Sequence, residues 1–225
     1  MQPVPVITID GPSGTGKGSV AKAVADRLGF QLLDSGALYR ALGVAVTKHR
    51  ISLNNHEQVA EIAKNLDIEF GLDGPGSVRL EGEDVSLEIR SEKGGDMASR
   101  VAAIPAARQA LMARQLAFRQ PPGLVADGRD MGTVVFPDAE VKIYLDASAE
   151  ERAQRRYKQL IGKGIGAILP DLLRDLKERD ERDSLRAISP LKPAEDATVL
   201  DTTCLDLAQV IEQVMALVKA KLPVQ

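Results

Sequence analysis

Cysteine is almost absent from this chain. The 225 residues hold one, Cys204, so no intramolecular disulfide can form, which fits a reducing cytoplasm. Histidine is nearly as scarce. His49 and His56 are the only two, which argues against histidine-based metal centres and Ser-His-Asp triads and leaves both on a solvated surface. No apolar run approaches the roughly 20 residues of a membrane span, so no membrane partner is expected. A basic segment followed by an apolar one is also missing at the N-terminus, so no signal peptide is expected and the location predicted is cytoplasmic. Excess positive charge is lacking too. The net charge is −3 and the isoelectric point near 5.6, which excludes a general binder of polymeric nucleic acid. What remains is ordinary for a globular protein: 44% hydrophobic and 27% charged residues, enough chain for one good core with room for a small inserted subdomain.

The most informative segment is Val6–Ser19. An apolar β-branched stretch is followed by Gly11, Pro12, Ser13, Gly14, Thr15, Gly16 and Lys17, then by Gly18 and Ser19. The pattern G-x-x-x-x-G-K is a phosphate-wrapping loop: glycines turn backbone N–H groups inward and the lysine adds a mobile charge. A helix expected over Lys17–Leu28, with Val20, Val24 and Leu28 on its inner face, aims its positive end at the same phosphates. The residue after the lysine departs from the usual Ser or Thr. Gly18 stands there and Ser19 follows, a form common in kinases of the nucleoside monophosphate type. The alternative, a glycine-rich turn without a ligand, would leave four glycines as an uncompensated cost.

Strand and helix signals alternate beyond the loop. Strands are expected at Phe30–Asp34, Leu124–Asp127, Val141–Leu145 and Thr198–Asp201. Helices are expected at Ala37–Lys48, Gln58–Leu66 and Ala106–Phe118, from Ser148 onward with a capping box to Glu151, at Asp171 to about Arg186, and after Asp206. This alternation predicts a parallel sheet flanked by helices, an α/β architecture whose ligands lie at the carboxyl ends of the strands. Residues 68–90 differ. Glycines 71, 74, 76 and 82 separate short segments at Ile68–Phe70, Val78–Leu80 and Val85–Leu87, which predicts a small antiparallel sheet.

Arginines mark a second substrate. Arg40 follows Asp34–Ser35–Gly36 at the start of a helix; Arg129 lies in the turn Asp127–Gly128–Arg129–Asp130–Met131–Gly132; and residues 150–186 carry Arg152, Arg155, Arg156, Arg174, Arg179, Arg182 and Arg186. The planar arginine fork grips phosphate at two points. Each could instead be a solvated helix residue or a local ion pair. Arginine-rich helices interrupted by Gly162, Gly164 and Gly166 also suit a lid that closes over two substrates and excludes water.

Several segments resemble bacterial cytidylate kinases, within the nucleoside monophosphate kinase family: GPSGTGKGS at 11–19, LLDSGALYR at 32–40, EGEDVS at 81–86, ADGRDMGTVVFPDA at 126–139, KIYLDAS at 142–148 and KERDERD at 177–183. The resemblance spans about residues 4–220. It implies a single P-loop kinase domain over 1–225, a monophosphate-binding insertion at about 55–104 and a lid at about 148–170. It also implies transfer of a phosphoryl group from ATP to CMP or dCMP with Mg²⁺, in a monomer. By the same resemblance, Gly11 through Ser19 would bind ATP, with Ser19 at the metal, directly or through water. Ser35, Arg108, Asp130 and Arg186 would contact cytosine. Arg40 and Arg129 would hold the acceptor phosphate, and Ser99, Arg179 and Asp183 would face the ribose. Lys17, Arg129, Arg152 and Arg156 would serve the transfer itself.

Without the resemblance the residues point to a small-molecule kinase whose acceptor carries a phosphate. Two alternatives stand beside CMP. One is a kinase for another small acceptor, UMP or shikimate, although a neutral acceptor has no use for Arg40 and Arg129 together. The other is a non-catalytic P-loop nucleotide-binding protein, against which the chain has no N-K-x-D guanine-reading motif.

Overall fold

A computed structural model describes residues 4–74, 76–162 and 164–222. Along the chain the elements are β1 (Val6–Asp10), α1 (Lys17–Leu28), β2 (Gln31–Asp34), α2 (Ser35–Lys48), α3 (His56–Lys64), β3 (Ile68–Phe70), β4 (Val78–Leu80), β5 (Glu83–Asp84), α4 (Glu92–Val101), α5 (Pro105–Leu116), β6 (Leu124–Gly128), β7 (Val141–Asp146), α6 (Ala149–Ile161), α7 (Leu169–Ser184), β8 (Thr198–Asp201) and α8 (Leu207–Lys221). A π-helical turn at Met131–Val135 lies between β6 and β7. Two compact units result, one of Met1–Asp34 with Leu116–Gln225, the other of Ser35–Gln115. Among the described residues no helix is long and apolar enough to cross a membrane.

The first unit is built on a parallel sheet of order β2-β6-β1-β7-β8. Every residue of β1 and β6 is buried, because helices cover the sheet. A doubly covered strand reads as a continuous apolar run rather than an alternation. Val20, Val24, Val210 and Val214 from α1 and α8 pack with Ile7, Ile9, Val125 and Ile143 in one cluster. Parallel strands bring their carboxyl ends to one edge, where ligands are expected. The register sets Asp34 opposite Asp127, Asp10 between Gly128 and Tyr144, and Asp146 opposite Asp201.

The second unit packs α2, α3, α4 and α5 with a three-stranded antiparallel sheet of order β3-β4-β5. Leu42, Val59, Leu80, Ile89, Val101 and Leu111 meet in its core. The third strand is Glu83–Asp84, not the expected Val85–Leu87. Glu81 and Gly82 take positive φ values of 51° and 77°, the geometry of a two-residue hairpin turn matched to strand twist. Leu80 therefore pairs with Glu83. Asp84 Oδ1 accepts from the Ser86 N–H at 2.9 Å and ends the strand.

Other differences from the sequence reading have local causes. Helix α4 was not expected, since Gly94 and Gly95 disfavour helix by about 1 kcal/mol each. Ser91 Oγ caps it by accepting from the Gly94 N–H at 3.0 Å. A Cβ on Gly94 would fall 2.6 Å from the Glu88 carbonyl oxygen, so glycine lets the helix start hard against the preceding turn. At α6 only half of the expected capping box forms. Ser148 Oγ accepts from the Glu151 N–H, but the Ser148 N–H donates to Thr203 Oγ1 and the Glu151 carboxylate turns to Arg155. The complete box is at α8, between Asp206 and Gln209. Helix α7 begins at Leu169, with Pro170 in its first turn, and ends before Arg186. Within the segment expected to form a lid, residue 163 lies outside the described residues.

Candidate active site

The phosphate loop runs from the end of β1 to the start of α1, at the carboxyl edge of the central strand. Gly11, at φ 147°, is pressed against β7: a Cβ there would lie 2.1 Å from the Leu145 carbonyl oxygen. Thr15 Oγ1 donates to the Pro12 carbonyl at 3.2 Å. Lys17 Nζ donates to the same carbonyl at 3.2 Å, so the lysine folds back over its own loop. The Gly18 departure has a spatial reason. A Cβ at this position would stand 3.1 Å from Asp127 Oδ2, tighter than most contacts allow. Glycine stands here because a strand-end carboxylate occupies the space a side chain would need.

Lys17 sits in a cationic setting. Burial, helped by the nearby charges of Arg129 and Arg179, lowers its pKa to about 7 against the pull of Asp127 and Asp34. An isolated lysine titrates near 10.4. A polyanion placed on the loop must raise the value again. Ligand binding between pH 7 and about 10 should therefore take up a proton at Lys17, with the apparent Kd for ATP rising toward tenfold per pH unit over that window. Calorimetry in buffers of different ionisation enthalpy reads the uptake directly. A Kd that stays flat from pH 7 to 9 with no proton uptake would contradict the assignment.

Asp10 titrates in the opposite sense. Burial, with a smaller push from Asp130 and Asp127, raises its carboxyl to about 7, although the N–H groups of Gly132 and Met131 favour the charged form.

Asp183 gathers three of the arginines marked in the sequence. It is buried on α7. Its carboxylate lies 3.2 Å from Arg129 Nε and 4.0 Å from Arg179 Nε, and it bonds Arg186 through Nη2. Arg129 leaves the end of β6, Arg179 stands one turn before Asp183, and Arg186 follows the helix end. Asp130, beside Arg129, is buried as well. Three guanidinium groups about one carboxylate leave net positive charge suited to an anionic ligand, and Arg129 and Arg179 add to the lowering of the Lys17 pKa that burial begins.

Arginines of α6 work differently from one another. Arg152 is buried and uses its whole fork: Nε donates to the Ala147 carbonyl at 2.9 Å, Nη1 to the Ser13 carbonyl at 3.0 Å, and Nη2 to Asp180 Oδ2 at 2.6 Å. It ties the phosphate loop to α7. Arg155, grouped with the lid in the sequence reading, bonds the Thr202 carbonyl at 2.5 Å and reaches the Thr15 carbonyl at 3.4 Å. It braces the loop against the turn after β8. Arg156 Nη1 donates to Gln159 Oε1 on its own helix.

The remaining sequence candidates lie in the second unit. Ser35 is buried and donates to Gln115 Oε1 at 2.8 Å. Arg108 lies over the Tyr39 ring at 5.5 Å from its centroid and reaches the Ala102 carbonyl. Arg40 Nη1 donates to the Ile89 carbonyl at 2.6 Å. Ser99 is buried on α4.

Comparison with known proteins is decisive at this point. The family model described as cytidylate kinase matches residues 7–220. A cytidylate kinase of Aeromonas salmonicida is 55% identical over 222 residues, covering 98% of this chain and 96% of its own. One from Stutzerimonas stutzeri is 57% identical over 219 residues, covering 96% of each chain. A solved gluconokinase from Sinorhizobium meliloti is similar at 16% identity and a TM-score of 0.48, covering 98% of this chain and 95% of its own.

The chain belongs to the cytidylate kinase family.

For a cytidylate kinase family member, one participant in this arrangement carried no signal in the sequence, and two were marked only by their setting. Gln115 sits in a helix without any motif, and only its burial against Ser35 reveals it. Asp180 lies among the alternating charges of residues 150–186, which suit a solvated face or a lid, and only the structure shows it reaching across to Arg152. Asp10 stands at a strand's carboxyl end, where ligands are expected; its bonds to the N–H groups of residues 131 and 132 appear only in the structure.

Proposed function

We propose that this protein transfers the γ-phosphoryl group of ATP to CMP or dCMP, giving ADP and CDP or dCDP, in the cytoplasm and as a monomer. The observation that carries the reading is Asp183 with Arg129, Arg179 and Arg186 around it, in the same unit as the phosphate loop. It supplies a second, positively charged site beside the phosphate loop, where Arg129 would meet the phosphate of an acceptor nucleotide and Arg179, Asp183 and Arg186 the rest of it; a switch or simple nucleotide-binding protein does not need one.

In this reading Gly11 through Ser19 hold the triphosphate, with backbone N–H groups on its oxygens and Lys17 on the transferring group. A phosphate oxygen of CMP attacks the γ-phosphorus in line. The bond to the β–γ bridging oxygen breaks, and ADP leaves with that electron pair. The transition state needs placement and charge neutralisation rather than covalent help. Arg129 and Arg40 would hold the acceptor phosphate, Arg179, Asp183 and Ser99 would face the ribose, and Arg108, Asp130, Arg186 and Ser35 would read the base. Arg152 and Arg156 would add positive charge as residues 148–170 close, and residues 55–104 would serve as the monophosphate-binding insertion. Closure keeps water from acting as acceptor.

Mg²⁺ would enter with the triphosphate and neutralise its charge. No group of three or more metal-binding His, Cys, Asp or Glu side chains occurs among the described residues. That fits an ion held mainly by phosphate and water, as Mg²⁺ prefers. Ser19, exposed on the first turn of α1, and Asp127 against Gly18 fit the outer ligands.

A coupled ADP-release assay with ATP and, in turn, CMP, dCMP, UMP, AMP and shikimate tests the reading. Turnover should be highest with the two cytidine monophosphates, and UMP should trail by about 10- to 100-fold. That is the cost of one mispaired buried polar group where cytosine offers an amino donor and uracil an oxo acceptor. Turnover with shikimate alone, or with no acceptor at all, would contradict it.

A further inference from the structure

Asp10 is the last residue of β1, directly before Gly11 of the phosphate loop, and is only 5% exposed. Both its oxygens are engaged. Oδ1 accepts from the Met131 N–H at 2.9 Å and Oδ2 from the Gly132 N–H at 2.8 Å. These are the first N–H groups of the π-helical turn, whose own N-cap residue, Asp130, makes no side-chain cap bond. The turn is therefore capped from a neighbouring strand. Gly132 is fitted to that strand as well, since a Cβ on it would fall 2.8 Å from Thr8 Oγ1. Immediately before the capped N–H groups stand Arg129 and Asp130.

We propose that Asp10 is a positioning residue: its carboxylate fixes the 128–132 turn to the root of the phosphate loop and so sets the affinity for the acceptor nucleotide. The inference rests on the reading above, in which Arg129 and Asp130 touch that acceptor. A carboxylate is needed because two N–H donors must be accepted at once. Asparagine has one acceptor, and its amino group would face a donor. Retaining a buried carboxylate beside Asp127 and Asp130 is costly, which a cap of purely local use would not require. The arrangement makes the donor loop and the acceptor turn a single rigid piece, so that in-line geometry is set before either substrate arrives.

The test is Asp10→Asn, with steady-state kinetics in both substrates, thermal melting, and amide exchange at Met131 and Gly132. The variant should stay folded, melting about 2–10 °C below the wild type, because one buried N–H loses its acceptor. Its KM for CMP should rise about 10- to 100-fold, as one unsatisfied buried N–H implies, while its KM for ATP changes little. Exchange at the two amides should accelerate. An unchanged KM for CMP, or equal weakening of CMP and ATP, would overturn the inference, because a residue with only a structural role gives no such split. If Asp10→Asn fails to fold, Gly132→Ala pushes the same turn off β1 with the carboxylate intact and must give the same split; a normal KM for CMP there would overturn the inference equally. Wild-type turnover of CMP is the control on the underlying reading. Its absence would sink that reading, whereas normal wild-type turnover with unaltered variants sinks the role of Asp10 alone.

Discussion

Lys17→Ala should lower kcat by about 100- to 1,000-fold, the range for removing one preorganised donor to developing charge. The variant should still fold. In the free protein Lys17 donates to the Pro12 carbonyl at 3.2 Å, and burial beside Arg129 and Arg179 makes its charged form unfavourable. The fold therefore gains little from its ammonium group. Steady-state rates at saturating ATP and CMP, with a melting curve on the same preparation, separate the two effects. A kcat within a fewfold of wild type would remove Lys17 from the transfer step.

Arg129→Ala should act on the other substrate. The guanidinium leaves the end of β6 and lies 3.2 Å from the buried Asp183 carboxylate. Removing it leaves Asp183 with Arg179 and Arg186, so the carboxylate is not stranded and the unit should stay folded. Losing a charge-assisted hydrogen bond costs about 1.5–3 kcal/mol, so the KM for CMP should rise at least about tenfold. The kcat should also fall, because this arginine would meet the acceptor oxygen in the transition state. ATP affinity, measured separately, should change far less. Equal losses for both nucleotides would mean that Arg129 only supports the sheet edge.

How much of this was legible in the sequence depended on how local the cause was. The buried strands announced themselves: Val6, Ile7 and Ile9 form a run that only a doubly covered strand explains. Asp206 capped α8 as expected, because a cap needs only the three residues after it. The start of β5 was obscured because Glu81, an ordinary residue, takes the positive φ that turn readings assign to glycine or asparagine. Helix α4 was hidden by Gly94, whose reason is the Glu88 carbonyl oxygen beside it.

Long-range pairing was the least legible. Asp180 and Asp183 look alike on a charged helix, and nothing nearby in sequence says that one takes Arg152 and the other Arg129. Arg155 and Arg156 are adjacent, yet one braces the Thr202 carbonyl and the other bonds Gln159 on its own helix. The choice of cytosine was legible only through the resemblance, since a hydroxyl such as that of Ser35 can donate or accept and suits many bases until a partner fixes its sense.

One measurement bears most directly on the account: incubation with CMP and ATP labelled at its γ-phosphorus, with the products separated and the label followed. The account predicts label in CDP, little in inorganic phosphate, and neither product from Lys17→Ala at a comparable rate. Label appearing only in inorganic phosphate, with CMP unchanged, would contradict it.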